Sequence, residues 1–119
     1  MYRKDMLVMR IKLIALSQIR NIEDSVKRDP MAYRKDTTEY CDAMYDIIAN
    51  MSSERLTRIV VPIYENYEEM GMADDRYVAD SLMMIVLALY QNEIGEENIY
   101  DLGWTSYIED FFRVNTATA

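Results

Sequence analysis

Glycine occurs only three times and proline only twice in these 119 residues, and this shortage is the strongest constraint that the sequence places on the fold. A β-sheet needs frequent tight turns, and tight turns favour both residue types. A chain with so few of them is expected to form a small number of long elements. Half of the residues are hydrophobic, which is enough for a core without disulfides or bound metal. The sequence therefore predicts an all-α protein.

Apolar residues recur at steps of three and four in the first part of the chain, which predicts a helix from about Lys4 to Arg28. Its inner stripe consists of Val8, Ile11, Ala15, Ile19, Ile22 and Val26. Met9 and Leu13 lie on other sides of this helix, so we expect several neighbours to cover its first half. Pro30 ends the helix, because proline disfavours helical geometry in the residue before it.

The third predicted helix is the one with the clearest signals at both ends. Ser52 or Ser53 caps its start, and Gly71 is placed to end it in a left-handed conformation. Its inner stripe consists of Leu56, Ile59, Val60, Ile63, Tyr64, Tyr67 and Met70. Pro62 lies inside this pattern and is expected to kink the helix or to split it. A short strand at residues 59–61 is the alternative.

A fourth helix, Asp75–Glu93, is predicted to be capped by Asp74 and to occupy the centre of the fold. Its seam consists of Val78, Leu82, Ile85 and Leu89, and further apolar residues widen that seam nearly all round: Met83, Met84, Val86 and Leu87. A helix that is apolar on most sides is buried on most sides.

Two shorter helices complete the predicted fold, one over about residues 37–51 and one over about residues 106–113. Residues 1–114 are therefore expected to form one domain, a compact bundle of about five helices. Residues 115–119 contain nothing to bury and are expected to form a flexible C-terminal tail.

The chain contains no histidine, and this excludes many kinds of active site. Ser-His-Asp and Cys-His nucleophilic sites, ordinary zinc sites and the Glu-x-x-His di-iron pattern all require it. The single cysteine, Cys41, leaves no internal disulfide. The longest apolar stretch, Leu82–Leu89, is far shorter than the ~20 residues that cross a bilayer. We expect an intracellular protein that uses no membrane and no cofactor.

Charge is distributed unevenly along the chain. Residues 1–60 contain 11 Lys or Arg and 9 Asp or Glu, a net charge of +2, whereas residues 61–119 contain 2 and 12, a net charge of −10. The acidic half starts with Glu65, Glu68, Glu69, Asp74 and Asp75. These residues either maintain solubility and cap helices or form a surface for a basic partner. Direct binding to nucleic acid is not expected, because a phosphate backbone requires a basic surface.

Three of the carboxylates also allow a catalytic interpretation. Glu65 and Glu68 are three apart on one predicted helix and Asp80 lies on the next, so the three could supply oxygen ligands to Mg²⁺. The spacing resembles that of the all-helical nucleotide pyrophosphohydrolases of the MazG-like type, whose pattern is Glu-x-x-Glu followed by Glu-x-x-Asp. The second half of that pattern is incomplete here, because Tyr77 stands where glutamate is expected. The resemblance implies a magnesium-dependent nucleotide hydrolase.

The preferred hypothesis is non-catalytic: a small acidic protein that binds a larger protein partner with a basic surface. Inhibitors, immunity or anti-defence proteins and accessory subunits have this size and charge. The expected partner-binding residues are Glu65, Glu68, Glu69, Asp74 and Asp75, which would stand in for the phosphates of a nucleic acid. One alternative is a homo-oligomeric structural or scaffolding subunit that uses the excess apolar surface of the first helix. The other is the magnesium-dependent pyrophosphohydrolase.

Overall fold

The computed structural model describes residues 4–29, 31 and 37–91, and these form four α-helices without a strand. The helices are α1 (Lys4–Arg28), α2 (Thr37–Asn50), α3 (Ser53–Glu69) and α4 (Asp75–Tyr90). The predicted all-α class is confirmed. The predicted number of about five helices is not reached in the described part of the chain. The expected last helix and the C-terminal tail lie outside the described residues.

The four helices pack as a bundle in which two helices are central. Helix α1 packs against each of the other three, and so does α4, whereas α2 and α3 each pack against both α1 and α4. The helix that was predicted to be innermost therefore shares the centre of the bundle with α1. In the part of the chain that the structure describes, no helix combines the length and the apolar character that a membrane span requires.

All four helices contribute to one continuous core. Its largest fully buried side chains are Leu7, Ile11, Ile19, Ile48, Leu56, Ile59, Ile63, Leu82 and Ile85. Burying one such side chain stabilises a fold by about 1.5 to 3 kcal/mol. The predicted seam of α4 is buried at Val78, Leu82 and Ile85 and only partly buried at Leu89. The three-to-four spacing of apolar residues thus explains the packing of these helices.

Helix α3 continues without interruption through Pro62, so neither the predicted split nor the alternative strand occurs. Proline removes one backbone hydrogen bond and crowds the preceding turn. Val61 and Ile63, on either side of Pro62, are both buried in the core and anchor the two halves of the helix. The start of α3 is fixed by Ser52, whose hydroxyl oxygen accepts a hydrogen bond from the backbone N–H of Arg55 at 3.2 Å.

The outer side of α1 differs from the prediction. Met9 and Leu13 were expected to be covered by neighbouring helices, but their side chains are 53% and 59% exposed. The bundle covers α1 only along the stripe that includes Ile11, Ala15 and Ile19. In its first half, α1 thus buries the side that contains Ile11 and exposes the apolar side that contains Met9 and Leu13 to water.

Candidate functional site

The turn between α3 and α4 has a defined backbone geometry. The N–H of Gly71 donates to the carbonyl of Glu68 at 3.1 Å, and the N–H of Met72 donates to the carbonyl of Tyr67 at 2.8 Å. This pair of bonds is a Schellman motif, which satisfies carbonyls at the end of a helix. Gly71 has a φ of 70°, a left-handed conformation that side chains with a Cβ rarely adopt. The position of the glycine therefore sets how the chain reverses.

This turn brings all five predicted partner-binding residues to one end of the α3–α4 pair. Three are exposed carboxylates in the last five residues of α3, and two are half-buried carboxylates at the start of α4. Two methionines in the turn, Met70 and Met72, are 49% and 46% exposed. The acidic surface is defined here by these seven residues: Glu65, Glu68, Glu69, Met70, Met72, Asp74 and Asp75. It contains charged and apolar groups side by side.

Asp74 is engaged in starting α4, as its predicted capping role requires. Its Oδ1 accepts a hydrogen bond from the backbone N–H of Arg76 at 2.8 Å, and its Oδ2 lies 3.2 Å from the Arg76 guanidinium. Hydrogen bonds from the Arg76 side chain and backbone lower the pKa of Asp74. The N-terminus of a helix favours negative charge, so this carboxylate stabilises the fold.

Asp75 joins the start of α4 to the central helix α1. Its Oδ2 lies 3.0 Å from the Nε of Arg10, which donates a hydrogen bond to it. That hydrogen bond and the charge of Asp75 raise the pKa of Arg10. Two members of the predicted site thus have a role in the fold: Asp74 caps α4, and Asp75 joins α4 to α1.

The three glutamates of the acidic surface lie at the C-terminal end of α3, whereas Asp74 and Asp75 lie at the N-terminal end of α4. Glu65, Glu68 and Glu69 are close to the C-terminus of α3, where the helix macrodipole disfavours anions, and the last turn of α3 contains no basic residue. Burial and the neighbouring Glu68 carboxylate raise the pKa of Tyr64, whose hydroxyl hydrogen-bonds with Glu68. Negative charge at this end of α3 reduces helix stability. Helix capping therefore explains Asp74 and Asp75 but not these three glutamates.

The side chains of the alternative metal site are not brought together. Among residues 4–29, 31 and 37–91, no three His, Cys, Asp or Glu side chains are grouped so that they could hold a metal ion. Glu65, Glu68 and Asp80 therefore do not form such a group. Burial raises the pKa of Asp80, and the nearby Arg76 lowers it by a smaller amount. The ring of Tyr77, at the position where the MazG-like pattern has glutamate, lies 6.1 Å from the ring of Tyr67.

Sequence reasoning missed the apolar part of the acidic surface. Met70 was assigned to the inner stripe of α3, but it is the C-terminal cap residue of that helix and lies outside the last helical turn. The side chain of Met72 follows Gly71 and was assigned no role. A signal was available for both residues, because a left-handed glycine directly follows the C-cap residue of a helix, so Met70 is the C-cap and Met72 lies beyond the helix.

Comparison of the chain with protein families, with curated proteins and with solved structures found no match. The geometry of the acidic surface is therefore the basis for a functional assignment.

Proposed function

We propose that this chain is a small acidic, non-catalytic protein that binds a larger protein partner through the acidic surface. The observation that carries the proposal is the placement of the exposed Glu65, Glu68 and Glu69 in the last five residues of α3, immediately before the turn that contains the half-exposed Met70 and Met72. The carboxylates reduce the stability of α3 at the position they occupy. This unfavourable placement relative to the helix dipole supports a role for them in binding a partner.

The composition of the surface favours a protein partner with basic and apolar groups together. Methionine side chains adapt to irregular apolar surfaces, and carboxylates around them accelerate encounter with a basic surface and disfavour acidic competitors. Protein interfaces commonly combine an apolar centre with a polar rim. Arg76 is the one Lys or Arg in residues 59–91, and it is paired with Asp74. The surface as a whole therefore presents negative charge.

Roles that fit this chemistry are an inhibitor, an immunity or anti-defence protein, or an accessory subunit. One mechanism is mimicry of nucleic-acid charge, in which the acidic residues would occupy positions on the partner that otherwise bind phosphates. The net charge of −8 supports the same proposal, because it repels nucleic acid and attracts nucleic-acid-binding surfaces. An intracellular location is part of the proposal.

The test compares two variants that change the net charge equally. The first is Glu65→Gln, Glu68→Gln and Glu69→Gln together, within the acidic surface. The control replaces three exposed acids on α1 and α2, namely Asp24→Asn, Asp42→Asn and Asp46→Asn. The wild-type chain and both variants are immobilised and exposed to lysate of the source cells. Retained proteins are identified by mass spectrometry and purified for titration.

A partner that the wild-type chain and the control variant retain, and that the glutamine variant loses, supports the proposal. Its affinity is expected to fall by about tenfold or more between low and high salt, because surface charges are screened. Met70→Ser with Met72→Ser should weaken binding without changing that salt dependence. Equal losses from the glutamine variant and the control variant would assign the effect to net charge alone and overturn the proposed site.

A further inference from the structure

A second surface lies on the first half of α1, next to Arg10, which forms an ion pair with Asp75 of the acidic surface. Met6, Met9 and Leu13 are 56%, 53% and 59% exposed, and their positions fall within about 60° of each other around the helix. A groove of about 480 Å³ runs beside them, between α1 and the start of α3, where Leu56 and Thr57 line it. We call these three side chains the α1 stripe. Exposed apolar side chains that adjoin one another, rather than being scattered singly, are a feature of binding surfaces.

The α1 stripe is complementary to itself. Met6 precedes Met9 by three residues and Leu13 follows it by four. If a second α1 is laid antiparallel on the first, with the two-fold axis at Met9, each Met9 meets the other Met9. Met6 then lies within one helical position, about 1.5 Å along the axis, of the level of Leu13 of the second copy, so the two side chains are close enough to pack. A two-fold interface requires this kind of reciprocal match between one surface and its copy.

The charges beside the α1 stripe obey the same symmetry. Asp5 and Lys12 both line the groove, on the same side of the stripe, and precede and follow Met9 by four and three residues. The antiparallel arrangement places Asp5 of one copy within one helical position, about 1.5 Å along the axis, of the level of Lys12 of the other, and the two-fold symmetry produces this pair twice. Lys12 already donates to the carbonyl of Ala49 at 3.3 Å, but an ammonium group has three donors and can bind a carboxylate as well.

Arg10 lies on the other side of the α1 stripe, and its charge is compatible with this arrangement. Arg10 of each copy approaches Arg10 of the other across the axis, which would be repulsive for two isolated cations. Asp75 lies 3.0 Å from Arg10 and compensates this charge within each copy. The acidic and basic groups next to the axis therefore balance.

From the self-complementary stripe and its reciprocal charges we infer that a second copy of this chain binds the α1 stripe, forming an antiparallel two-fold dimer around Met9. The α1 stripe contributes few side chains, so we expect the interface to fall below the ~1,000 Å² that a stable complex requires. The dimer is accordingly weak, with a Kd above about 1 µM. The inference does not depend on the proposed function, because the stripe and the acidic surface share no side chain.

The test is a charge exchange measured by sedimentation equilibrium of the full chain, from about 10 µM to about 1 mM. Asp5→Lys alone and Lys12→Glu alone each place like charges opposite one another twice and should raise the dimer Kd by about tenfold or more. The double variant Asp5→Lys, Lys12→Glu exchanges the charges and should restore dimerisation. A loss of folding cannot produce this restoration, and thermal unfolding of each variant measures it separately.

Met9→Lys provides a second, independent measurement, because it places two cations at the axis and should abolish the dimer. Met31→Lys is the matched control: Met31 is 94% exposed and lies outside the α1 stripe, so dimerisation should not change. The glutamine variant of the acidic surface should also dimerise normally. A wild-type chain that is monomeric throughout the concentration range overturns the inference, whether or not another protein binds the stripe. The inference is also overturned if the double charge variant dimerises as weakly as the two single variants.

Discussion

The hydroxyl groups of Tyr67 and Ser81 lie 2.8 Å apart in a buried hydrogen bond that joins α3 to α4. Tyr67 is 3% exposed and Ser81 is fully buried, so neither hydroxyl can exchange its partner for water. The backbone carbonyl of Tyr67 also accepts the hydrogen bond from Met72 that closes the turn. One residue thus fixes both the helix pair and the turn that forms the acidic surface.

We predict that Tyr67→Phe lowers the free energy of unfolding by about 1 to 3 kcal/mol, because it leaves the Ser81 hydroxyl buried without this partner. Ser81→Ala should also be destabilising. The double variant should lose less than the sum of the two single losses, since the pair is then removed together. Urea unfolding of the four proteins measures this. Strict additivity would mean that the two hydroxyls do not interact in solution.

Gly71→Ala is predicted to cost about 1 to 2 kcal/mol through backbone strain alone. The φ of Gly71 is +70°, and a Cβ at this position would have no heavy atom within 4 Å. Gly71→Asn should cost less, because asparagine tolerates the left-handed conformation better. The same denaturation experiment applies. Equal costs for alanine and asparagine would point to a source other than the conformation of the turn.

Glu69→Gln is predicted to stabilise the chain by about 0.3 to 1 kcal/mol at low salt, because it removes a negative charge from the C-terminal end of α3. Glu54 lies in the first turn of the same helix, where the dipole favours an anion. Glu54→Gln should therefore have the opposite sign. Thermal unfolding at low and high salt measures both effects, which should converge towards zero as salt increases. A destabilising Glu69→Gln would contradict the assignment of the glutamates to a role outside folding.

The pH dependence of stability should differ in sign between Asp74 and Asp80. Hydrogen bonds with Arg76 lower the pKa of Asp74, so its stabilisation is complete above the ordinary value of about 4 and is lost as pH falls through the lowered value. Asp74→Asn should thus be less stable than the wild-type chain at neutral pH and approach it in acid.

Burial raises the pKa of Asp80, so the charged form of this residue destabilises the fold at neutral pH. Asp80→Asn should be more stable than the wild-type chain at neutral pH, and this gain should disappear as the pH falls through the raised value towards 4. Unfolding curves of the three proteins between about pH 3 and pH 7 test both predictions. Parallel pH profiles for the two variants would show that the surroundings of these carboxylates are equivalent.

Much of the fold could be predicted because its signals are local. The spacing of apolar residues predicted α1 with the bounds that the structure shows. Ser52, Gly71 and Asp74 have the roles at helix ends that their chemistry indicates. Capping depends on groups within a few residues, so it can be derived from the sequence. Of the two outcomes predicted for Pro62, a kink or a split, the split was wrong, because the burial of its neighbours depends on distant helices.

The candidate site could be predicted only in part, because some of its contacts also depend on helices that are distant in the sequence. The sequence was sufficient to locate the acidic residues. That Asp75 binds Arg10, and so has a role in the fold that the glutamates of α3 do not share, could be seen only from the packing of α4 on α1. Sequence periodicity also could not assign the buried Glu23, which is 5% exposed with its Oε2 3.5 Å from Arg20. A carboxylate on a helix is expected in water unless tertiary contacts show otherwise.

The central position of α1 has a consequence for synthesis of the protein. A ribosome releases α1 first, whereas α4, with which it forms the centre of the bundle, emerges only after α2 and α3. At about 5 to 20 residues per second, the nascent polypeptide spends several seconds with Ile11 and Ile19 lacking their final cover. Productive folding must wait for Leu82 and Ile85 to leave the exit tunnel. Translation that stalls before Asp75 yields a fragment that chaperones and proteases will recognise.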